Sequence, residues 1–145
     1  MKRIALQGIA GSFHEDAALK YFNDEIEVVE SKSFTGVCEL IDTDKVDYAV
    51  MAIENSIAGS LLKNYQLIRD YHLRIIGEIY IHIQMNLMVT PGVKPKDITD
   101  IHSHPIAIQQ CIEYLEKYYP NAKLHEGSDN AGSAKFISEG KPQNA

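Results

Sequence analysis

Val46-Asp47-Tyr48-Ala49-Val50-Met51-Ala52-Ile53-Glu54-Asn55-Ser56-Ile57-Ala58-Gly59-Ser60 decides how the chain is read. Its first half is a short continuous apolar run, the pattern of a strand buried in a parallel sheet. The run stops at Glu54-Asn55-Ser56, and a helical pattern follows from Ser60 to Tyr71, with Leu61, Leu62, Tyr65, Leu67 and Ile68 apolar. Polar groups set where a strand ends and a helix begins face the crevice at the carboxyl edge of an α/β sheet, where such sheets bind ligands. Asn55 can donate and accept hydrogen bonds, and Ser56 suits a helix N-cap. The same residues would also serve simply to close a turn.

Upstream, Arg3 to Gln7 and Glu25 to Glu30 read as strands. Helical patterns follow them, Phe13 to Phe22 and Phe34 to Thr43, the second with Ser33 as N-cap and Val37, Leu40 and Ile41 on its core face. The order β-α-β-α-β-α calls for a parallel sheet with helices packed on it. The loop Gly8-Ile9-Ala10-Gly11-Ser12 brings backbone N–H groups toward whatever lies above it. It is neither a phosphate-binding P-loop, lacking Gly-Lys-Ser/Thr, nor a dinucleotide fingerprint, lacking the third glycine.

Downstream, Leu73 to Val89 reads as one long extended stretch. It alternates around Glu78 to Gln84, with Ile79, Ile81 and Ile83 on one face, as a strand covered on one side would. Its length suits a crossing from one lobe to another. After a Pro- and Gly-rich turn come a strand at Thr99 to His102, a helix at Pro105 to Tyr119 capped by His104, a strand at Ala122 to His125 and a helix at Ser128 to Ser138 that stops at Gly140. In the helix from Pro105, the residues Ala107, Cys111, Leu115 and Tyr118 are expected in the core. Ser103 and Gln110 are close to two turns apart and face the same way, and a glutamine there leans back toward the helix mouth. A solvated surface role for Gln110 is the plainer alternative.

Composition narrows the function classes. The 145 residues are 45% hydrophobic and carry a net charge of −6, which argues against a nucleic-acid partner. A small anionic ligand stays open, since helix N-termini bind anions whatever the global charge. No apolar run is long enough to span a membrane, and Met1-Lys2-Arg3 leads straight into a strand pattern without a signal peptide, so a cytoplasmic protein with no membrane partner is expected. Cys38 and Cys111 have no partnered spacing and read as free thiols. The histidines hold no metal-binding spacing: His102 and His104 should diverge at a strand-to-helix turn, and there is no His-Glu-x-x-His and no Cys cluster. What emerges is a set of helix mouths carrying Ser, Asn and His, which suits a small carboxylate.

These residues resemble the prephenate dehydratase family along the whole chain. Gly8 to Ala18 is similar to that family's opening loop and helix. Ala52-Ile53-Glu54-Asn55-Ser56-Ile57-Ala58-Gly59 resembles its Pro-Ile-Glu-Asn-Ser-x-x-Gly motif. Gly77-Glu78 with His82 resembles its extended crossover, and Ser103-His104-Pro105-Ile106-Ala107-Ile108-Gln109-Gln110-Cys111 its Ser-His-Pro-x-x-x-x-Gln-Cys motif. The resemblance implies an α/β, two-lobed fold like that of type II periplasmic binding proteins, with a parallel sheet in lobe one, a mixed sheet in lobe two and a truncated end. Residues 1–76 would be an incomplete lobe one and residues 77–145 lobe two, with the family's regulatory ACT domain absent. An uncovered apolar face or sheet edge in lobe one would favour a homo-oligomer.

The implied reaction is the decarboxylating dehydration of prephenate to phenylpyruvate in phenylalanine biosynthesis, with neither cofactor nor metal. By the resemblance, Asn55, Ser103 and Gln110 match polar active-site positions, while Ser56, His104, Asn130 and the backbone around Ala131 line the substrate cleft. Ala52 stands where the family usually has proline, and Asn130 where it usually has threonine. The family's Thr-Arg-Phe motif, whose threonine is the proposed acid, would lie beyond Ala145. The competing expectation is a non-catalytic module of periplasmic-binding-protein type that binds small carboxylates.

Overall fold

The computed structural model describes residues 1–23, 25–56 and 59–140. Ile57 and Ala58 of the Glu-Asn-Ser motif, and the 141–145 tail, lie outside the described residues. The chain divides into two compact units, Met1–Ile83 and Gln84–Ala145. The expected boundary at 76/77 falls inside the first of these.

Unit 1 is built on β1 (Lys2–Gln7), which pairs in parallel with β2 (Ile26–Ser31) on one edge and β3 (Tyr48–Val50) on the other. Helices α1 (Phe13–Phe22) and α2 (Phe34–Asp42) form the connections. Side chains alternate across a strand, and the core follows that rule. Ile4 and Leu6 pack with Ala18, Phe22, Val28, Tyr48 and Val50 on one face, and Ala5 packs with Val37, Val46, Val29, Leu40 and Ala49 on the other. Cys38 of α2 is fully buried as well, its Sγ 3.9 Å from Met51 Sδ. Both helices start where expected. Ser12 accepts a hydrogen bond from Glu15 N and caps α1, while Ser33 accepts one from Gly36 N and caps α2.

The segment after β3 differs from expectation. Glu54 and Asn55 do not run directly into a helix. They form β4 (Glu54–Asn55), which pairs antiparallel with β5 (Gly59–Ser60) in a short hairpin. Gly59 makes the reversal possible, since its φ of +76° is the left-handed region that favours glycine. Ser56 therefore lies in the turn and is not a helix N-cap. The helix α3 (Leu62–Asp70) begins after Leu61, and no side chain caps it.

The buried position of α3 is polar. Leu62 is 75% exposed, and the buried residue is Asn64, at 4%. Its Nδ2 donates to the Ala52 carbonyl at 2.7 Å, and Leu61 N donates to Ile53 O at 2.8 Å. A buried amide with a well-placed acceptor costs little, whereas the orphaned carbonyl would cost far more. The start of α3 is thus clamped to the exit of β3 by polar contacts rather than by leucines.

Residues 73–90 carry no helix or strand, although a strand was expected there. Period-two alternation marks a face, but a strand also needs a backbone partner, and none pairs with this stretch among the described residues. Ile75, Ile76, Tyr80 and Met88 are exposed along it. Its first part is held locally, with Tyr21 Oη donating to the Ile76 carbonyl at 3.3 Å. The Tyr21 ring lies so close over Gly77 that a Cβ there would collide with it.

Unit 2 contains β6 (Asp100–Ser103), α4 (Pro105–Tyr118), β7 (Lys123–Glu126) and α5 (Asn130–Ser138). β6 and β7 pair in parallel, so the mixed sheet expected here is replaced, among the described residues, by a parallel pair. Its core is Ile98, Ile101 and Leu115, with Val93, Ile108 and Cys111 against them. Tyr118, expected inside, is 56% exposed, its ring tilted against that of Tyr114. Among the described residues no helix is long and apolar enough to cross a membrane.

Asn64→Leu should leave the Ala52 carbonyl without its partner and destabilise unit 1 by about 1–3 kcal/mol. Urea unfolding followed by circular dichroism measures this; unchanged stability would show that the clamp is not needed.

Candidate active site

Three of the expected residues meet in unit 2. Parallel pairing of β6 with β7 extends to Gly127, whose N–H donates to the Ser103 carbonyl at 2.8 Å and fixes the end of β6. Helix α4 begins two residues after Ser103. Its N-cap is His104, whose Nδ1 accepts from Ile106 N at 3.2 Å, and Pro105 occupies the first turn, where no N–H is needed. With Nδ1 accepting, the hydrogen of a neutral His104 ring sits on Nε2. Helix α5 is capped by Asp129, which accepts from Gly132 N at 2.6 Å. The first residue of α5, Asn130, then reaches across to α4. Its Oδ1 accepts from Ser103 Oγ at 2.8 Å and from His104 N at 3.0 Å.

One carbonyl oxygen therefore joins the mouths of two helices. Ala131 follows it on α5 and is half-buried. Gln110 lies further along α4 and is also half-buried. Asn55 and Ser56 belong to unit 1, in the hairpin. There Glu54 accepts from Ser60 Oγ at 2.7 Å and from Tyr65 Oη at 3.4 Å, which orients the strand that carries Asn55.

The glycine loop does less than expected for a ligand. Ala10 N donates to Glu30 Oε1 at 2.9 Å, and Gly11 N donates to Glu15 Oε2 at 2.6 Å, so carboxylates of this chain already take these amides. Sequence reasoning passed over Lys32 and Lys63. Both line a cavity of about 170 Å³ in unit 1, with Gln7, Ser33 and Asn64. The signal available was position alone: Lys32 follows β2, and Lys63 stands in the first turn of α3.

The histidines separate as expected. His104 caps α4, while His102 stacks flat on His125 across the β6–β7 pair, with centroids 4.4 Å apart and planes 11° from parallel. His125 Nε2 lies 2.7 Å from Asp100 Oδ1. Thr99 and His125 hydrogen bonds hold the Asp100 carboxyl below its usual range. Burial, reinforced by repulsion from His125, pushes the His102 ring below its ordinary 6.5, and Asp100 opposes this only in part. His102 also lines a second cavity, about 220 Å³, with Gly127, Ser128 and Phe136. Among the described residues no group of three or more His, Cys, Asp or Glu is arranged to hold a metal ion.

Residues 4–145 match the sequence model of the prephenate dehydratase family. The chain belongs to that family. It is 40% identical over 136 residues to arogenate dehydratase/prephenate dehydratase 1, chloroplastic, of Arabidopsis thaliana, covering 94% of this chain and 34% of that protein. It is 38% identical to arogenate dehydratase 2 of Petunia hybrida, with 93% and 34% covered. This family member thus spans about a third of the length of those relatives.

Among solved structures, prephenate dehydratase from Arthrobacter aurescens in complex with L-Phe matches with a TM-score of 0.82 at 28% identity, covering 93% of this chain and 45% of that one. The α/β, periplasmic-binding-protein-like fold expected from the sequence is the fold of this match. A structure described as GqqA, a novel type of quorum quenching acylases, matches with a TM-score of 0.81 at 24% identity, covering 99% of this chain and 51% of that one. It shares the fold.

The His102 shift has a definite sign. The unfolded chain takes up this proton near 6.5 and the folded chain only at lower pH, so folding is favoured above 6.5 and weakened as pH falls through that value. His102→Phe keeps an aromatic ring but removes the proton, and should flatten this part of the profile of Tm against pH. A His102 ring titrating at or above 6.5 by NMR would contradict the assignment.

Proposed function

We propose that this chain is the amino-terminal part of a prephenate dehydratase that acts on prephenate in phenylalanine biosynthesis. The observation that carries the reading is the family match over residues 4–145 together with the junction at Asn130, where Ser103 and His104 of the Ser-His-Pro motif are held in one geometry. In the reaction, the bond between the ring and its carboxylate breaks, and its electrons enter the ring. The ring hydroxyl leaves and takes a proton, giving carbon dioxide, water and phenylpyruvate. Aromatisation supplies the driving force. The protein's work is to hold a dianion in the reactive pose and deliver one proton, which positioning and a general acid can do.

Asn55, Ser103 and Gln110 are the groups proposed to touch the reacting molecule, with Ser56, His104, Asn130 and the amide of Ala131 around them. Residues 1–76 and 77–145 are proposed as parts of the two lobes of the catalytic domain, with the acid supplied from sequence beyond residue 145. Lys32 and Lys63, in the unit 1 cavity, offer positive charge to an anionic ligand. Both cysteines are free thiols, which suits a reducing, cytoplasmic setting. The exposed apolar run at Ile75, Ile76 and Tyr80 suits burial in a homo-oligomer or against a further part of the protein.

The test is an assay of prephenate loss and phenylpyruvate gain with the full-length protein, with arogenate as a parallel substrate. Asn55→Ala and Gln110→Ala should each lower kcat/KM by about ten- to a hundredfold, the loss of one hydrogen bond to a charged ligand, with the circular dichroism spectrum unchanged. Residues 1–145 alone should give no useful turnover, and activity should return when a downstream fragment is added. Binding of prephenate without turnover in the full-length protein would favour the carboxylate-binding module instead.

A further inference from the structure

Asn130 does more than border the site. Its Oδ1 accepts from His104 N, a backbone group that can only donate, so the orientation of the amide is fixed: the oxygen, not the nitrogen, faces α4. A carbonyl oxygen carries no hydrogen. The 2.8 Å contact with Ser103 Oγ must then use the serine's only hydrogen. The backbone leaves little room to rearrange, because Gly127 N holds the Ser103 carbonyl and Asp129 holds the start of α5 through Gly132 N and Ser133 Oγ.

We propose that Asn130 is a positioning residue that fixes the hydrogen-bond polarity of Ser103, so that Ser103 meets the substrate only as an acceptor and receives a hydrogen bond from the ring hydroxyl, which keeps its own hydrogen as it leaves. This rests on the prephenate reading above. The prephenate dianion has two carboxylates and a keto group, all acceptors, and one donor, the ring hydroxyl. An acceptor-only serine gains nothing from the carboxylates. Pairing with the hydroxyl turns that oxygen's lone pairs away from Ser103 and leaves them open to the acid. Asn130 acts through Ser103 and does not itself touch the reacting atoms.

The experiment is a double-mutant cycle in the full-length protein, with Ser103→Ala, Asn130→Ala and the pair, and with phenylpyruvate as a competitive probe. Phenylpyruvate keeps a carboxylate and the keto group but lacks the ring hydroxyl. Each single variant should lower kcat for prephenate by about 10- to 100-fold, and the double variant should be no worse than Ser103→Ala. Phenylpyruvate inhibition should stay within about twofold throughout, less than the cost of one neutral hydrogen bond. Asn130→Thr keeps an oxygen able to accept from Ser103 and should recover part of the lost kcat, which also covers the case in which Asn130→Ala fails to fold.

Additive losses in active, folded variants would overturn the proposal and leave the prephenate reading standing. So would phenylpyruvate binding that weakens in step with kcat, since Ser103 would then grip a group the two molecules share. An unmutated protein inactive on prephenate would remove the functional reading and this inference together.

Discussion

Ile4, Ala5 and Leu6 are wholly withdrawn from water because β1 is paired along both edges and covered on both faces. Burial of a side chain such as Ile4 or Leu6 is worth about 1.5–3 kcal/mol, and only a strand in the middle of a sheet gets it on alternate faces at once. The neighbours follow from this. The β2 and β3 residues opposite Ile4 are Val28 and Tyr48, and those opposite Ala5 are Val29 and Ala49, so the register puts large groups with α1 and small ones with α2. With β3 placed, its exit at Ala52 and Ile53 becomes the anchor for α3, and Glu54-Asn55 emerges in a defined direction. The position of Asn55 is thus a distant result of apolar pairing at Ile4.

Unit 2 reaches a polar site by a different route. Among the described residues its sheet is a parallel pair, and much of its order at the Ser-His-Pro motif comes from hydrogen bonds that cap helices. Asp129 caps α5, His104 caps α4, and Asn130 ties the two starts together. Each bond satisfies a group that a helix mouth would otherwise leave to water. The stability of the junction and the placement of its candidate groups are the same set of contacts, so changes there act on both.

Much of this was readable in the residues. The helices α2 and α4 begin at their expected caps, because Ser33 and His104-Pro105 announce a start by local chemistry alone, and α1 begins at the expected Phe13. The strands β1, β2, β6 and β7 were found within a residue or so, since apolar pattern and flanking turns agree there. The failures share a physical cause, which is dependence on a distant partner. Asn64 is buried because a carbonyl twelve residues earlier needs a donor. Glu54-Asn55 pairs with Gly59-Ser60 instead of starting a helix. Residues 73–90 have the pattern of a strand but no strand beside them among the described residues. In the site, the roles of Ser103 and His104 came from motif resemblance, while the bonds that join them to Asn130 span 27 and 26 residues and have no local signature.

Cys38 gives unit 1 a built-in clock. Its thiol is fully buried in α2 beside Met51, and burial, together with the charge of Glu39, pushes its pKa up, so alkylating reagents meet it neither as an accessible group nor as a ready thiolate. Labelling then has to wait for α2 to lift from the sheet. With a reagent in excess, the rate of modification reports how often that opening occurs, well below the denaturant needed for global unfolding. Cys111, half-buried on α4, is a second free thiol, in the other unit. One chain thus holds two thiols of unequal access, and their separate reaction rates resolve the local breathing of its two halves without any introduced probe.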